Sequence, residues 1–261
     1  MRMIERVEVL GREHLVRAVR ASSGLVAVAS SLGRGYVLRE GRIVEEISVD
    51  IPLLSTDISN KVSFGGLGKV IIINDGKRTL RVGGTALYVR KGKYASVYYG
   101  GSSKVYDLEK NEVIIEIKDV IRSIDYNDRY LVLVGANATR IYSEGELLFE
   151  ITLEKGRGVV LSENEMKLLV RDPYFIDVSH VYDYTLGNNI ELKRKVSLEG
   201  TAYDLHSDNE TIAIATSDYV YLLDNDLNEI KRIREGAISA SVDNDLVCYA
   251  SKGALRCGIF K

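Results

Sequence analysis

The chain has 261 residues, with 35 Lys and Arg against 37 Asp and Glu and a formal net charge of -2. That length can bury a substantial core in one large domain or two small ones, and the balanced charge excludes a generally polyanion-coating surface while leaving room for a local basic patch. No apolar run reaches the roughly eighteen residues of a membrane span, and MRMIERVEVLGREH lacks the apolar core of a signal peptide, so a cytoplasmic protein is expected.

In chain order, Met3–Leu10 (MIERVEVL) reads as a strand with no neighbour to pair with. Residues 15–51 then hold four β-prone runs, LVRAVRAS, LVAVASS, GYVLRE and RIVEEISV, separated by turn residues. Residues 52–83 repeat the order in shortened form: LLSTDIS, KVSFGG, KVIIIND, RTLRVG. Residues 84–119 give ALYVR, YASVYY, KVYDL and EVIIEI, and residues 120–156 give IRSIDY, YLVLVG, TRIYS and LLFEITL. A fifth unit fills 157–199. In 200–235 the runs are AYDLH, TIAIAT, YVYLL and EIKRI. The last unit, 236–261, supplies ISASVD, LVCYAS and RCGIF and stops one strand short.

Aligned on their third strands, the units place Tyr36, Ile71, Tyr106, Tyr142, Tyr182, Tyr221 and Cys257 at successive separations of 35, 35, 36, 40, 39 and 36 residues. Repeats of about 40 residues with four antiparallel strands predict an all-β propeller, here of seven blades. A single four-stranded sheet cannot cover both its faces, whereas blades packed radially cover one another. Only two prolines occur, as expected where most strands need their ladder donors. The surplus strand at 3–10 matches the deficit in 236–261, so the N-terminal strand is expected to complete the last blade and close the ring.

KVYDLEKNEVIIEI and the repeat around it resemble the WD-repeat propellers, whose third strand typically ends in Trp-Asp. Tyr-Asp takes that place at Tyr106-Asp107 and Tyr182-Asp183, while the Gly-His pair usual before the first strand is replaced, Gly200 and Gly236 being followed by Thr and Ala. The resemblance implies a scaffold that docks partners, usually without catalysis.

Two further patterns concern environment. The chain contains no Gln and is 28% charged, a hyperthermophile trend. Its cysteines, Cys248 and Cys257, become cross-strand neighbours if Lys252-Gly253 is a two-residue hairpin turn, which leaves a disulfide or two buried thiols as the readings. No metal set is completed, because no His lies near them.

For a site, the loops between units and those between second and third strands share one face. There RDPYFIDVS at 171–179 is longer than its equivalents and carries Arg171, Tyr174 and Phe175, good interface anchors if exposed. Asp172, Asp177, His180 and Asp183 match no metal template. Two residues before each central position stand Arg34, Lys69, Lys104, Arg140 and His180, an arc of positive charge on that face if the side chains are free. Asp57, Asp125 and Asp204 lie in first strands, where propeller enzymes place catalytic carboxylates, but share no register counted from the following turn. No GxSxG nucleophile elbow occurs. The expected function is therefore non-catalytic docking of protein partners by a monomeric or weakly associating propeller without cofactor or metal. The alternatives are nucleic-acid binding through the basic arc and a small-molecule enzyme working in the central channel.

Overall fold

The computed structural model describes residues 7–74, 76–152, 155–208 and 210–260. Residues 3–6 of the expected closing strand and Lys261 lie outside them. β1 (Val7–Leu10) leads through a short 3-10 turn into β2 (Val16–Ser22), β3 (Leu25–Ser30), β4 (Arg34–Arg39) and β5 (Arg42–Ser48). Next come β6 (Leu53–Ile58), β7 (Val62–Ile73), β8 (Lys77–Arg90), β9 (Tyr94–Tyr99), β10 (Ser102–Asp107) and β11 (Glu112–Ile117). β12 (Ser123–Tyr126), β13 (Leu131–Val134), β14 (Thr139–Ser143) and β15 (Glu146–Ile151) are followed by β16 (Gly156–Ser162), β17 (Glu165–Arg171), β18 (Val178–Leu186) and β19 (Ile190–Glu199). The chain finishes with β20 (Ala202–Ser207), β21 (Thr211–Thr216), β22 (Val220–Asp224), β23 (Glu229–Ile233), β24 (Ser239–Asp243), β25 (Leu246–Ser251) and β26 (Ala254–Ile259).

Among the described residues these strands form six sheets. Four are simple meanders, β2 to β5, β12 to β15, β16 to β19 and β20 to β23, and a fifth is ordered β1-β26-β25-β24. The sixth runs unbroken from β6 to β11, so the propeller has six blades and not the seven expected from the repeat. The physical reason is continuity of the backbone ladder. The first half of β7 pairs with β6 and its second half with β8, whose own second half pairs with β9. The glycines at 65, 66 and 68 do not interrupt β7, and units 52–83 and 84–119 merge. Val70, Ile72, Leu80 and Val82 pack there against Ala86, Val89, Ala95 and Val97.

Burial follows strand position. Second strands are covered on both sides by neighbouring blades, so β21 is buried along its whole length and β3 nearly so; both read as continuous small or branched apolar runs. Fourth strands face water and carry charge, as in β5 (RIVEEIS) and β11 (EVIIEI). Third and fourth strands are offset by a bulge in each regular blade, for example at Val37/Leu38, Ile141/Tyr142 and Leu222/Leu223. Such bulges and charges blunt the outer edge against pairing with other chains.

Val7–Leu10 pairs antiparallel with β26, and Leu10 is buried between this blade and the first with Val19, Val28, Tyr36 and Leu255. Lys252 and Gly253 both have positive φ, 51° and 81°, the left-handed pair of a type I′ hairpin. That turn sets Cys248 opposite Cys257, and the two are joined as a disulfide.

Candidate functional site

The first strands β2, β6, β8, β12, β16, β20 and β24 adjoin one another around a central channel. They meet edge-on without ladder pairing, and polar side chains make the connection. Asp57 accepts from Lys91 N (2.6 Å), Asp125 from Leu161 N (2.8 Å) and Ser241 Oγ from Ala21 N (2.8 Å). Across the middle of the channel Arg20 donates both terminal nitrogens to Asp204 (2.6 and 2.7 Å), and Ser239 Oγ reaches the same carboxylate at 2.6 Å. Arg90 bridges Asp125 (2.7 Å) and Asp57 (3.4 Å). The three first-strand aspartates thus occupy the channel but are taken up by guanidiniums and backbone. They form no pair of free carboxylates for acid–base work. Among the described residues no cluster of His, Cys, Asp and Glu is arranged to hold a metal.

This plug leaves a cavity at each end. The mouth on the face where the first strands begin holds about 490 Å³. One residue per repeat, standing next to the buried starter of each first strand, lines it: Arg17, Leu54, Leu87, Arg122, Arg157, Tyr203 and Ile238. Arg171, at the end of β17, joins them. Its Nε donates to Ala202 O (2.6 Å) and its guanidinium lies 4.8 Å from the Tyr203 ring centroid. Sequence reading missed Arg17, Arg122 and Arg157. Their signal was the shared repeat column, visible only once first strands are aligned from their buried starters.

The loop after Arg171 spans residues 172–177. Asp172 Oδ1 accepts from the amides of Tyr174 (2.8 Å) and Phe175 (2.9 Å), while its Oδ2 lies 2.8 Å from His180 Nε2. The hydrogen bond to His180, then those from Phe175 and Tyr174, bring the Asp172 carboxyl down to about 2. Lys155 Nζ donates to Pro173 O, Thr201 Oγ1 to Ile176 O and Gly200 N to Asp177 O. Held from both sides, the loop still presents Tyr174, Phe175 and Ile176 at 87%, 67% and 81% exposure. His180 is buried beneath it, with Ser197 Oγ on its other nitrogen at 3.1 Å. It braces the loop and is not offered to a partner.

The expected basic arc is neutralised residue by residue. Arg34 meets Glu46 (3.0 Å), Lys69 meets Asp50 (2.5 Å) and Lys104 meets Glu116 (3.7 Å). Arg140 bridges Glu150 (2.7 Å) and the buried Asp119 (3.2 Å). The reason lies in the register: Glu116 and Glu150 stand directly across the ladder from Lys104 and Arg140. Among the described residues, cations without an acid partner also gather at the channel mouth.

No family model matches the chain, and no curated protein matches it in sequence. Solved structures do match in shape. The WD40 β-propeller domain of Doa1 superposes with a TM-score of 0.75 at 12% identity, covering 99% of this chain and 98% of that one. U3-55K gives 0.73 at 12% identity over 98% of both chains. A chain from the mitotic checkpoint complex gives 0.75 at 12%, over 98% of this chain and 91% of its own. The fold is that of a WD40-like propeller. At such identity the likeness carries the fold alone.

Proposed function

We propose that this WD40-like propeller is a non-catalytic docking platform for a protein partner, which it engages on the face carrying loop 172–177 and the channel mouth. What carries the reading is the loop: three consecutive large apolar side chains stand in solvent on a backbone fixed by Asp172, Thr201 and Gly200. Folding leaves such side chains in water at no gain, whereas a partner that covers them gains apolar burial without the cost of ordering the loop. The paired carboxylates of the channel and the neutralised outer arc favour this reading over catalysis or a nucleic-acid track.

Capture from native lysate tests it, with the wild type beside a Tyr174→Ser/Phe175→Ser variant. Both side chains are exposed, so the variant should melt with the wild type. Loss of two anchors should weaken a specific complex by about 2 kcal/mol or more. Equal recovery of the same partner by both proteins would remove the loop from the interface.

A further inference from the structure

Four buried side-chain polar atoms have no hydrogen-bond partner among the described residues: Arg20 Nε, Ser55 Oγ, Arg157 Nε and Thr139 Oγ1. The first three belong to residues lining the 490 Å³ mouth. Arg20 and Ser55 are themselves only 3% and 6% exposed. Unsatisfied buried groups are rare in folded proteins; Ser55 Oγ faces Gly65, while the two arginines share the cavity.

The charge there is equally one-sided. Arg17, Arg20, Arg122, Arg157 and Arg171 line the cavity, and Asp204 is the sole carboxylate among its described lining residues, already held by Arg20 and Ser239. Among the described residues no carboxylate lies within ion-pair distance of Arg122, Arg157 or Arg171. Two of them have backbone carbonyls instead, Gly156 O for Arg122 (3.4 Å) and Ala202 O for Arg171 (2.6 Å). Elsewhere on this face each outer-arc cation found an acid. Burial, then the charges of Arg122 and Arg171, push Arg157 down to about 9, and burial lowers Arg122 and Arg171 as well. Asp119 offsets this in part at Arg122, and a bound anion would stabilise the like charges of all three.

We infer that the channel mouth is a binding site for a phosphate monoester, received by Arg122, Arg157 and Arg171. The number of donors decides the class. Three guanidinium forks offer more donors than the two oxygens of a carboxylate accept, and match a dianion with three terminal oxygens. Leu54, Leu87 and Ile238 give the rest of the rim apolar surface, interrupted by Arg17 between Ile238 and Leu54, and suit the carbon skeleton that bears the ester. Arg171 leads directly into loop 172–177, and Ala202 O and Tyr203 fix it from the neighbouring blade. Pocket and docking loop are therefore contiguous. The inference deepens the proposed docking function, and the phosphate can come from a phosphorylated side chain of the docked protein or from a free phosphorylated solute.

The test titrates the full chain at constant ionic strength with inorganic phosphate, O-phosphoserine and a phosphoserine peptide with apolar flanks. Wild type, Arg157→Gln, Arg122→Gln and Tyr174→Ser/Phe175→Ser are compared by calorimetry. Phosphate and O-phosphoserine should bind the wild type and bind either arginine variant about tenfold more weakly or worse. Without ligand, Arg157→Gln should melt at the same temperature or higher, since it relieves like-charge crowding; Arg122→Gln gives the same reading should Arg157→Gln not fold. Peptide binding at least about tenfold tighter than free O-phosphoserine, with the gain lost in Tyr174→Ser/Phe175→Ser, assigns the phosphate to the docked protein; equal binding assigns it to a solute. Wild type that takes up phosphate no better than chloride would overturn the site yet leave the docking loop standing. So would arginine variants that melt lower while binding phosphate unchanged. A single-stranded oligonucleotide that outcompetes O-phosphoserine would overturn the monoester in favour of a phosphodiester. A peptide gain that survives the loop variant removes the docking loop and leaves the phosphate site in place.

Discussion

His206 illustrates how a polar residue serves this fold. Its Nδ1 accepts from Val242 N at 3.4 Å and lies 3.0 Å from Ser241 Oγ, so the ring bridges β20 to β24 where no ladder does. Burial, followed by the charges of Arg20, Arg90 and Lys91, holds it well below the ordinary 6.5. The folded chain keeps this histidine neutral while the unfolded chain protonates it near 6.5. Its contribution is therefore complete above that value and fades as pH falls below it. Urea unfolding between about pH 7.5 and 5.5 should show wild-type stability dropping by about 1.4 kcal/mol per pH unit in the acidic part of the range, where His206→Gln stays flatter. Parallel profiles would mean that the ring is charged in the fold. The same economy appears at Asp172, which organises a loop through two amides and a histidine. Asp172 was legible in the sequence as a polar residue of a long loop, but its partners were not, because His180 stands eight residues away and meets it only through the strand's return.

At the scale of elements, β1 is the part whose role depends most on its setting. Four described residues, VEVL, could not hold a strand alone; β26 gives them a ladder and Leu10 a core. Leu10→Ala should cost about 2 to 5 kcal/mol in chemical denaturation, whereas Val7→Ala, at an exposed position, should stay within about 0.5 kcal/mol. Equal effects of the two would place β1 off the blade. The pairing could be anticipated because a strand surplus and a strand deficit sat at opposite ends of the repeat. The union of β7 and β8 into one long sheet could not. Segments such as KVSFGG and KVIIIND have the same local pattern whether or not the ladder runs on between them, and only pairing partners decide it.

For the whole molecule, the ion pairs that plug the channel connect segments far apart in the chain. Arg20, buried, and Asp204, partly buried, are 184 residues apart and meet in the ring's centre. Asp204→Ala leaves Arg20 buried without its counter-ion and should cost about 3 to 5 kcal/mol, while the double change Arg20→Met/Asp204→Leu should cost far less. Denaturation midpoints of the three proteins measure this, and a double variant as unstable as the single one would show that the pair itself, with no packing substitute, holds the blades.

By itself the sequence determined the strands, the repeat of about 37 residues, the propeller class and the loop that stands out from it. Those properties are written in short-range patterning and in its recurrence. Tertiary structure alone decided that two repeats share one blade, that the outer cations meet acids, two of them across their own ladders, and that Arg122, Arg157 and Arg171 line one cavity. Charge becomes free or compensated only when partners far apart in the chain are brought within a few ångströms. A closed ring does this for one position of every repeat at once.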